Sequence, residues 1–434
     1  MRLLKLNVSN WIPRVFWVPI FTLLILSPYI VKPFSFVAGQ LALVALLATL
    51  YFPILLSSRY KISINWSLIF LVAFLVCYPS SVSFYLFHTV DMQILKLTIS
   101  IVLLIAFGVG LGFWFENSQL LSSLPIFLTK SYFYILWMHS ILIILEFYNP
   151  FIRDVIESFL AVDQTVDYLD GVRYRGIASA GGANLAFAHG VAGVLGYYLY
   201  LKKLCSLPVF LLSGATILIS LIFIGRTGIV VFFIGLLIVF LSTSSSRKSL
   251  NFNAYLGYLG GFLIVMILAN TAYYFYDNLP RFYQSYSIDL FLGGTERFMD
   301  EGTLSTLYSF YYFPDDYLAL LFGTGNFSGG FLFAYDGPSD PGIMKIFTAY
   351  GMPFGLMLYG LIFAWCFSNR SGNLGDLLKV LLLLIFIVEI KEPLLVKGYA
   401  ARLFWILIGV SVFSRGIVKI KKFHGQLLYD RVRR

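Results

Sequence analysis

Apolar runs of about 20 residues, close to the length a helix needs to cross the hydrocarbon core of a bilayer, follow one another along this chain almost without relief. They fit Val15 to Val31, Phe34 to Leu56, Ile62 to Tyr78, Ile94 to Phe115, Tyr132 to Tyr148 and Leu185 to Leu201. Further runs fit Leu204 to Ile224, Ile229 to Leu241, Tyr255 to Phe275, Gly342 to Trp365, Leu377 to Ile390 and Leu403 to Phe413. A mean hydropathy of +0.84 leaves too little polar surface to enclose a soluble core of 434 residues. Lipid must therefore supply much of the solvent. The expected fold is all-α, a polytopic transmembrane helix bundle of about twelve spans, forming one integral membrane domain over residues 1–434. The first run continues into further spans without a small-residue cleavage site, so no removable leader is expected.

Charge sets the orientation. A net charge of +10 would suit nucleic acid in a soluble protein, but here the basic residues sit in short clusters between apolar runs. They read as topology signals, and no nucleic-acid partner is expected. Placing the amino terminus in the cytoplasm gathers Arg2, Lys5, Arg14, Arg59, Lys61, Lys130, Lys202, Lys203, Arg247, Lys248, Arg370 and the tail from Arg415 to Arg434 on one side. That is the distribution the positive-inside rule requires, and it makes both termini cytoplasmic. The basic tail suits anionic lipid headgroups. Two long external loops, 149–184 and 277–340, then hold most of the acidic residues. An enzyme working on that face has no nucleotide sugar or ATP, so its substrate must carry its own activation. The isolated Cys77, Cys205 and Cys366 have neither disulfide-framework nor zinc-ligand spacing.

The loops carry the candidate chemistry. Pro150 to Leu160 has the periodicity of an amphipathic helix, lying on the membrane surface or packed on neighbouring spans. In the larger loop, Arg297 to Phe313 fits a helix with an aromatic face, and Asp315 would cap a second helix running to Gly323. The stretch from Gly323 to Gly330 lacks the Gly-Lys-Ser/Thr ending of a phosphate loop and reads as a flexible turn. Arg226, in Gly225-Arg226-Thr227-Gly228, sits between two apolar runs with almost no loop to spare. It is either a ligand-binding arginine or one that snorkels to headgroups. Arg173 and Arg175 either grip a phosphate with their guanidinium forks or pair with Asp167 and Asp170. His189 reads most simply as a buried polar residue bonded to a neighbour.

Arg173, Arg175, Arg226 and Arg297 together exceed what topology alone asks of an external face, and their common target is anionic. A lipid-linked pyrophosphate would place its charges at this depth. It would also be a good leaving group, with positioned cations stabilising the charge that develops as the sugar–phosphate bond breaks. No metal or other cofactor is needed for that chemistry. Asp340, before Pro341-Gly342 at the head of a span, is either a turn residue or a base for an acceptor hydroxyl.

The order Arg175-Gly176, Asn184, Gly225-Arg226-Thr227-Gly228, Arg297, Phe322-Gly323-Thr324-Gly325, Asp340-Pro341-Gly342 and Tyr350-Gly351 resembles the O-antigen polymerases, within a wider group that includes the O-antigen ligases. The likeness covers roughly the second half of the chain, through short motifs. It implies a GT-C-like, metal-independent glycosyltransferase of the bacterial inner membrane. Such an enzyme moves a growing glycan from undecaprenyl pyrophosphate onto a new lipid-linked repeat unit at the periplasmic face. Donor and acceptor are then both undecaprenyl-pyrophosphate-linked oligosaccharides, and a chain-length regulator is a partner the likeness admits. It assigns Arg175, Arg226 and Arg297 to the pyrophosphate; Arg173, Arg281 and His189 are further substrate-binding candidates, and the departure from the ligases at Asp340 makes it the candidate base for the acceptor. Ligases tend to carry His-Asn where this chain has Asp340-Pro341, and Ala183 stands where a proline often precedes Asn184. The competing class is a secondary transporter or lipid-linked oligosaccharide flippase, which should show related halves and ionisable groups near the midplane.

Overall fold

Hydrocarbon offers backbone N–H and C=O groups no partner, and a helix satisfies them within one segment. The chain folds accordingly. The computed structural model describes residues 14–30, 36–56, 60–88, 91–117, 121–160, 174–179, 181–225, 227–245, 311, 316–327, 341–368 and 372–422. Its helices are α1 (Arg14–Leu26), α2 (Ala38–Leu56), α3 (Trp66–Phe87), α4 (Met92–Asn117), α5 (Leu124–Tyr148), α6 (Pro150–Phe159), α7 (Gly182–Leu201), α8 (Leu207–Ile224) and α9 (Thr227–Ser245). After them come α10 (Tyr317–Phe322), α11 (Gly342–Tyr350), α12 (Met352–Ser368), α13 (Gly372–Glu389), α14 (Leu394–Lys397) and α15 (Tyr399–Ser414). Two short antiparallel ribbons complete the described elements. One pairs β1 (Tyr29–Ile30) with β2 (Phe36–Val37), the other β3 (Tyr60–Ile64) with β4 (Val418–Lys422).

Three helical stretches are long and apolar enough to cross a membrane: Met92–Glu116, Leu121–Tyr148 and Leu207–Ile224. Six shorter apolar helical stretches accompany them among the described residues. Not every expected span appears as a full-length apolar helix, and the reasons are physical. Helix α7, rich in glycine and alanine, is buried from Leu185 through Leu199, so its surroundings are protein rather than lipid. The expected single span from Gly342 to Trp365 is two helices, α11 and α12, parted at Gly351, whose φ is +79°. The run from Tyr255 to Phe275 lies outside the described residues.

Other boundaries shift for local reasons. Helix α5 begins at Leu124, ahead of the expected Tyr132, because Leu124 and Leu128 are fully buried and extend its apolar face. Asp316, not Asp315, caps α10, its carboxylate accepting from Leu318 N at 3.0 Å. The glycine-rich stretch expected to be a flexible turn is fastened down over 323–327. Thr324 N donates to Thr348 O at 2.7 Å, Gly325 N to Ala349 O at 3.0 Å, and Phe327 N to Asp91 Oδ2 at 2.6 Å.

The helix ends fall into two groups. At the ribbon end, β3 and β4 pair, Lys202 meets Asp376 at 3.3 Å, and Arg415 donates to Trp365 O and Ser368 Oγ. At the opposite end, Ser179 N donates to Leu26 O, Tyr174 N to Phe223 O, and Ile30 bridges Leu160.

Helices α4 and α15 approach closely where Gly108 and Gly409 face each other. A Cβ on Gly409 would strike Ile105 O, and one on Gly108 would strike Ile406 O, both of them backbone atoms that cannot swing aside. Gly409→Ala should therefore destabilise the purified protein by about 1–3 kcal/mol, read as a lower melting temperature. Gly360→Ala, where the added methyl meets open space, should leave the melting temperature unchanged or slightly raised.

Candidate functional site

The segment 174–179 enters the bundle as non-helical backbone before α7 begins. Buried backbone of this kind needs a hydrogen-bond partner for each polar group. Tyr174 N donates to the last turn of α8 at Phe223 O, 3.2 Å, and Ser179 N to the end of α1 at Leu26 O, 3.2 Å. Between them Gly176 N donates to Glu146 Oε2 at 2.8 Å, Ile177 N to His139 Nε2 at 3.2 Å, and Ala178 N back to Arg175 O at 3.1 Å. This strap thus joins α1, α5 and α8. Gly176 lies against the His139 ring with φ +55°, a conformation and a space that suit only glycine.

A histidine pair continues inward from the strap. His139 Nδ1 lies 3.2 Å from His189 Nε2, and His189 Nδ1 lies 2.9 Å from Leu185 O. The ends of this chain fix its protons, because Ile177 N–H can only donate and Leu185 O can only accept. Neutral His139 therefore carries its proton on Nδ1 and gives that bond to His189, whose own proton is on Nδ1. His189 is fully buried and His139 nearly so. Among the described residues, His189 meets the strap through His139.

Around the strap the charges are mixed. The Arg153 guanidinium lies 5.8 Å from the Tyr174 ring centre and donates to Glu157 Oε1 at 2.9 Å. Arg153, Glu157 and Arg175 all act electrostatically on Glu146. On the far side Ser179 Oγ and Tyr399 OH are 3.0 Å apart. Asn184 receives Tyr399 N on its Oδ1 at 3.0 Å and donates from Nδ2 to Lys397 O at 3.3 Å. Arg402 donates to Leu24 O and Ile25 O at 2.7 and 2.6 Å, covering the last carbonyls of α1, with its guanidinium over the Tyr399 ring.

Of the seven residues expected to carry chemistry, Arg175 and His189 fall within the described structure, and it brings them to one site through His139. Arg173, Arg226, Arg281, Arg297 and Asp340 lie outside the described residues. Gly225 packs on Ala186 and Gly182, and Gly228 on Ala186, near the head of α7. Gly342, two residues after Asp340, packs against the carboxylate of Glu389. Glu389 is fully buried and accepts from Tyr359 OH at 3.2 Å and Leu395 N at 2.8 Å.

His139, Glu146, Glu389 and Arg402 escaped the sequence reading, which looked for charge in the loops. A signal was there: each is an ionisable group within or beside an apolar run, and such residues are functional candidates by default. Among the described residues no three His, Cys, Asp or Glu side chains group as a metal site. Comparison with protein-family models, curated proteins and solved structures finds no match. The site must be read from its own chemistry.

The strap itself is open to test. Gly176→Ala would place a methyl against His139 in a left-handed conformation that costs about 1–2 kcal/mol before any clash. The variant should melt lower than the parent, whereas Gly181→Ala, whose nearest neighbour is Arg175 Cβ at 3.6 Å, should not.

Proposed function

We propose that this protein is a polysaccharide polymerase of the bacterial inner membrane, with about twelve spans and both termini cytoplasmic. It joins undecaprenyl-pyrophosphate-linked repeat units into O-antigen or a related surface polysaccharide at the periplasmic face, without a metal. The observation that carries this reading is the anchoring of Arg175. Its backbone neighbours Gly176 and Ile177 are fixed by Glu146 and His139 near the head of α7, on which Gly225 and Gly228 also pack. An arginine whose backbone is set by buried scaffolding suits a pyrophosphate at the membrane boundary.

In this mechanism the acceptor hydroxyl attacks the anomeric carbon of the growing glycan. A carbon–oxygen bond forms there as the bond to the pyrophosphate oxygen breaks. Arg175, Arg226 and Arg297 receive the negative charge on the departing undecaprenyl pyrophosphate, and Arg173 and Arg281 complete the basic surround. Asp340 takes the hydroxyl proton. An apolar cavity of about 290 Å³ between α3, α4, α12 and α15, reaching Phe327 and Tyr350, offers hydrocarbon surroundings beside Gly351.

A second reading, a carrier or flippase, draws on His139, His189 and Glu389, ionisable groups inside helices where carriers place theirs. Against it, Glu389 is the last residue of α13; His139, the sixteenth of the 25 residues of α5 and so close to its middle, counts for it. The ligase alternative differs in its acceptor, a lipid-anchored core sugar in place of a second repeat unit.

Purified protein in liposomes, given only undecaprenyl-pyrophosphate repeat units, should produce a ladder of longer glycans and release one undecaprenyl pyrophosphate per bond. Translocation of intact lipid-linked units without new glycosidic bonds would establish the carrier instead. Arg226→Lys should lose activity nearly as fully as Arg226→Ala, on the order of 10² in rate, since lysine keeps the charge but not the fork. Asp340→Asn should bind substrate yet accumulate single repeat units, and near-normal polymer from it at matched protein level would remove Asp340 from the mechanism.

A further inference from the structure

Helix α6 leaves half of its apolar surface uncovered. Phe151 is 73% exposed, Val155 41% and Phe159 59%, whereas Ile156 is buried. At 3.6 residues per turn, the four-residue spacing of 151, 155 and 159 confines them to an arc of about 80°. Arg153 and Glu157 lie on the opposite side of the helix, and Asp154 and Ser158 make the polar flank beside Phe151. The helix starts abruptly after α5, where Asn149 accepts from Phe151 N at 3.1 Å and Pro150 takes the first helical position.

The exposed stripe does not begin with α6. Tyr134, Met138, Leu145 and Tyr148 are exposed along α5, one of the helices long and apolar enough to cross a membrane. On such a helix an exposed apolar stripe faces acyl chains. Tyr148, 72% exposed, joins this stripe to Phe151 on the next element. Asn149, at φ −129° and ψ 100°, ends α5 and caps α6 between them. Aromatic residues such as Tyr148 and Phe151 suit a membrane interface.

We propose that α6 is seated in the lipid interface at the strap end of the bundle, with Phe151, Val155 and Phe159 among the upper acyl segments of membrane phospholipid. Its opposite arc meets the site, since Arg153 lies over Tyr174 and pairs with Glu157. The lipid surface thereby becomes a direct reference for the height of the strap, whichever substrate Arg175 receives.

The test places the photoreactive residue p-benzoylphenylalanine at position 151, 159 or 154 of the full chain. The protein is reconstituted in vesicles of phosphatidylethanolamine and phosphatidylglycerol, irradiated and analysed by intact mass. Exposed sites tolerate the bulk, and an unchanged melting temperature for each variant confirms the fold. Phospholipid adducts at 151 and 159, several-fold above those at 154, are the expected result. Adducts joining either site to another part of the chain, to a second copy or to another protein would overturn the proposal. So would lipid adducts equally abundant at 154, or absent at all three positions. None of these readouts depends on glycan synthesis, so the outcome is independent of the proposed polymerase activity.

Discussion

Backbone that leaves the helical state among membrane helices must be satisfied by protein, and the strap end of this molecule is organised by that requirement. The described N–H groups of Tyr174, Gly176, Ile177, Ala178 and Ser179 reach α8, Glu146, His139, the strap's own turn and α1. Losing the Glu146 partner would strand the buried donor of Gly176, which costs roughly 1–3 kcal/mol. That asymmetry explains why a carboxylate and an imidazole are retained inside an otherwise apolar helix. They hold a piece of main chain in place, and the main chain in turn holds Arg175.

The strap is coupled to the second polar centre through a short path. Glu389 accepts from Leu395 N at the start of α14, and within about one turn Lys397 O and Tyr399 N both bind Asn184. Helix α14, only four residues long, therefore has one end fixed on the acid beside Gly342 and the other on the head of α7. Such an arrangement keeps the surroundings of Arg175 and of Gly342 in a set relation.

Hydropathy made much of this legible and pairing made little of it so. The long apolar stretches of α4, α5 and α8 follow directly from composition, and α6 from its period and from Asn149-Pro150 at its head. The break at Gly351 did not, because an apolar run conceals a glycine with positive φ as easily as one within a helix. Nor could the sequence show that residues 139, 146, 176 and 189 meet, since nothing in a single sequence records contacts across such separations. Arg175 was recognisable as a candidate by its company of glycine and aromatic residues. What fixes it in place was not.

The β3–β4 ribbon and the crossing of α4 with α15 tie the first quarter of the chain to its last. A ribosome delivers these partners far apart in time. Helix α4, with its Gly108 groove, is made and inserted hundreds of residues before the Gly409 surface that fills it exists. Contacts so distant in sequence form slowly and leave interim surfaces uncovered. The early helices must therefore wait in the membrane for a partner not yet synthesised, and final assembly belongs to the moment the last helix arrives.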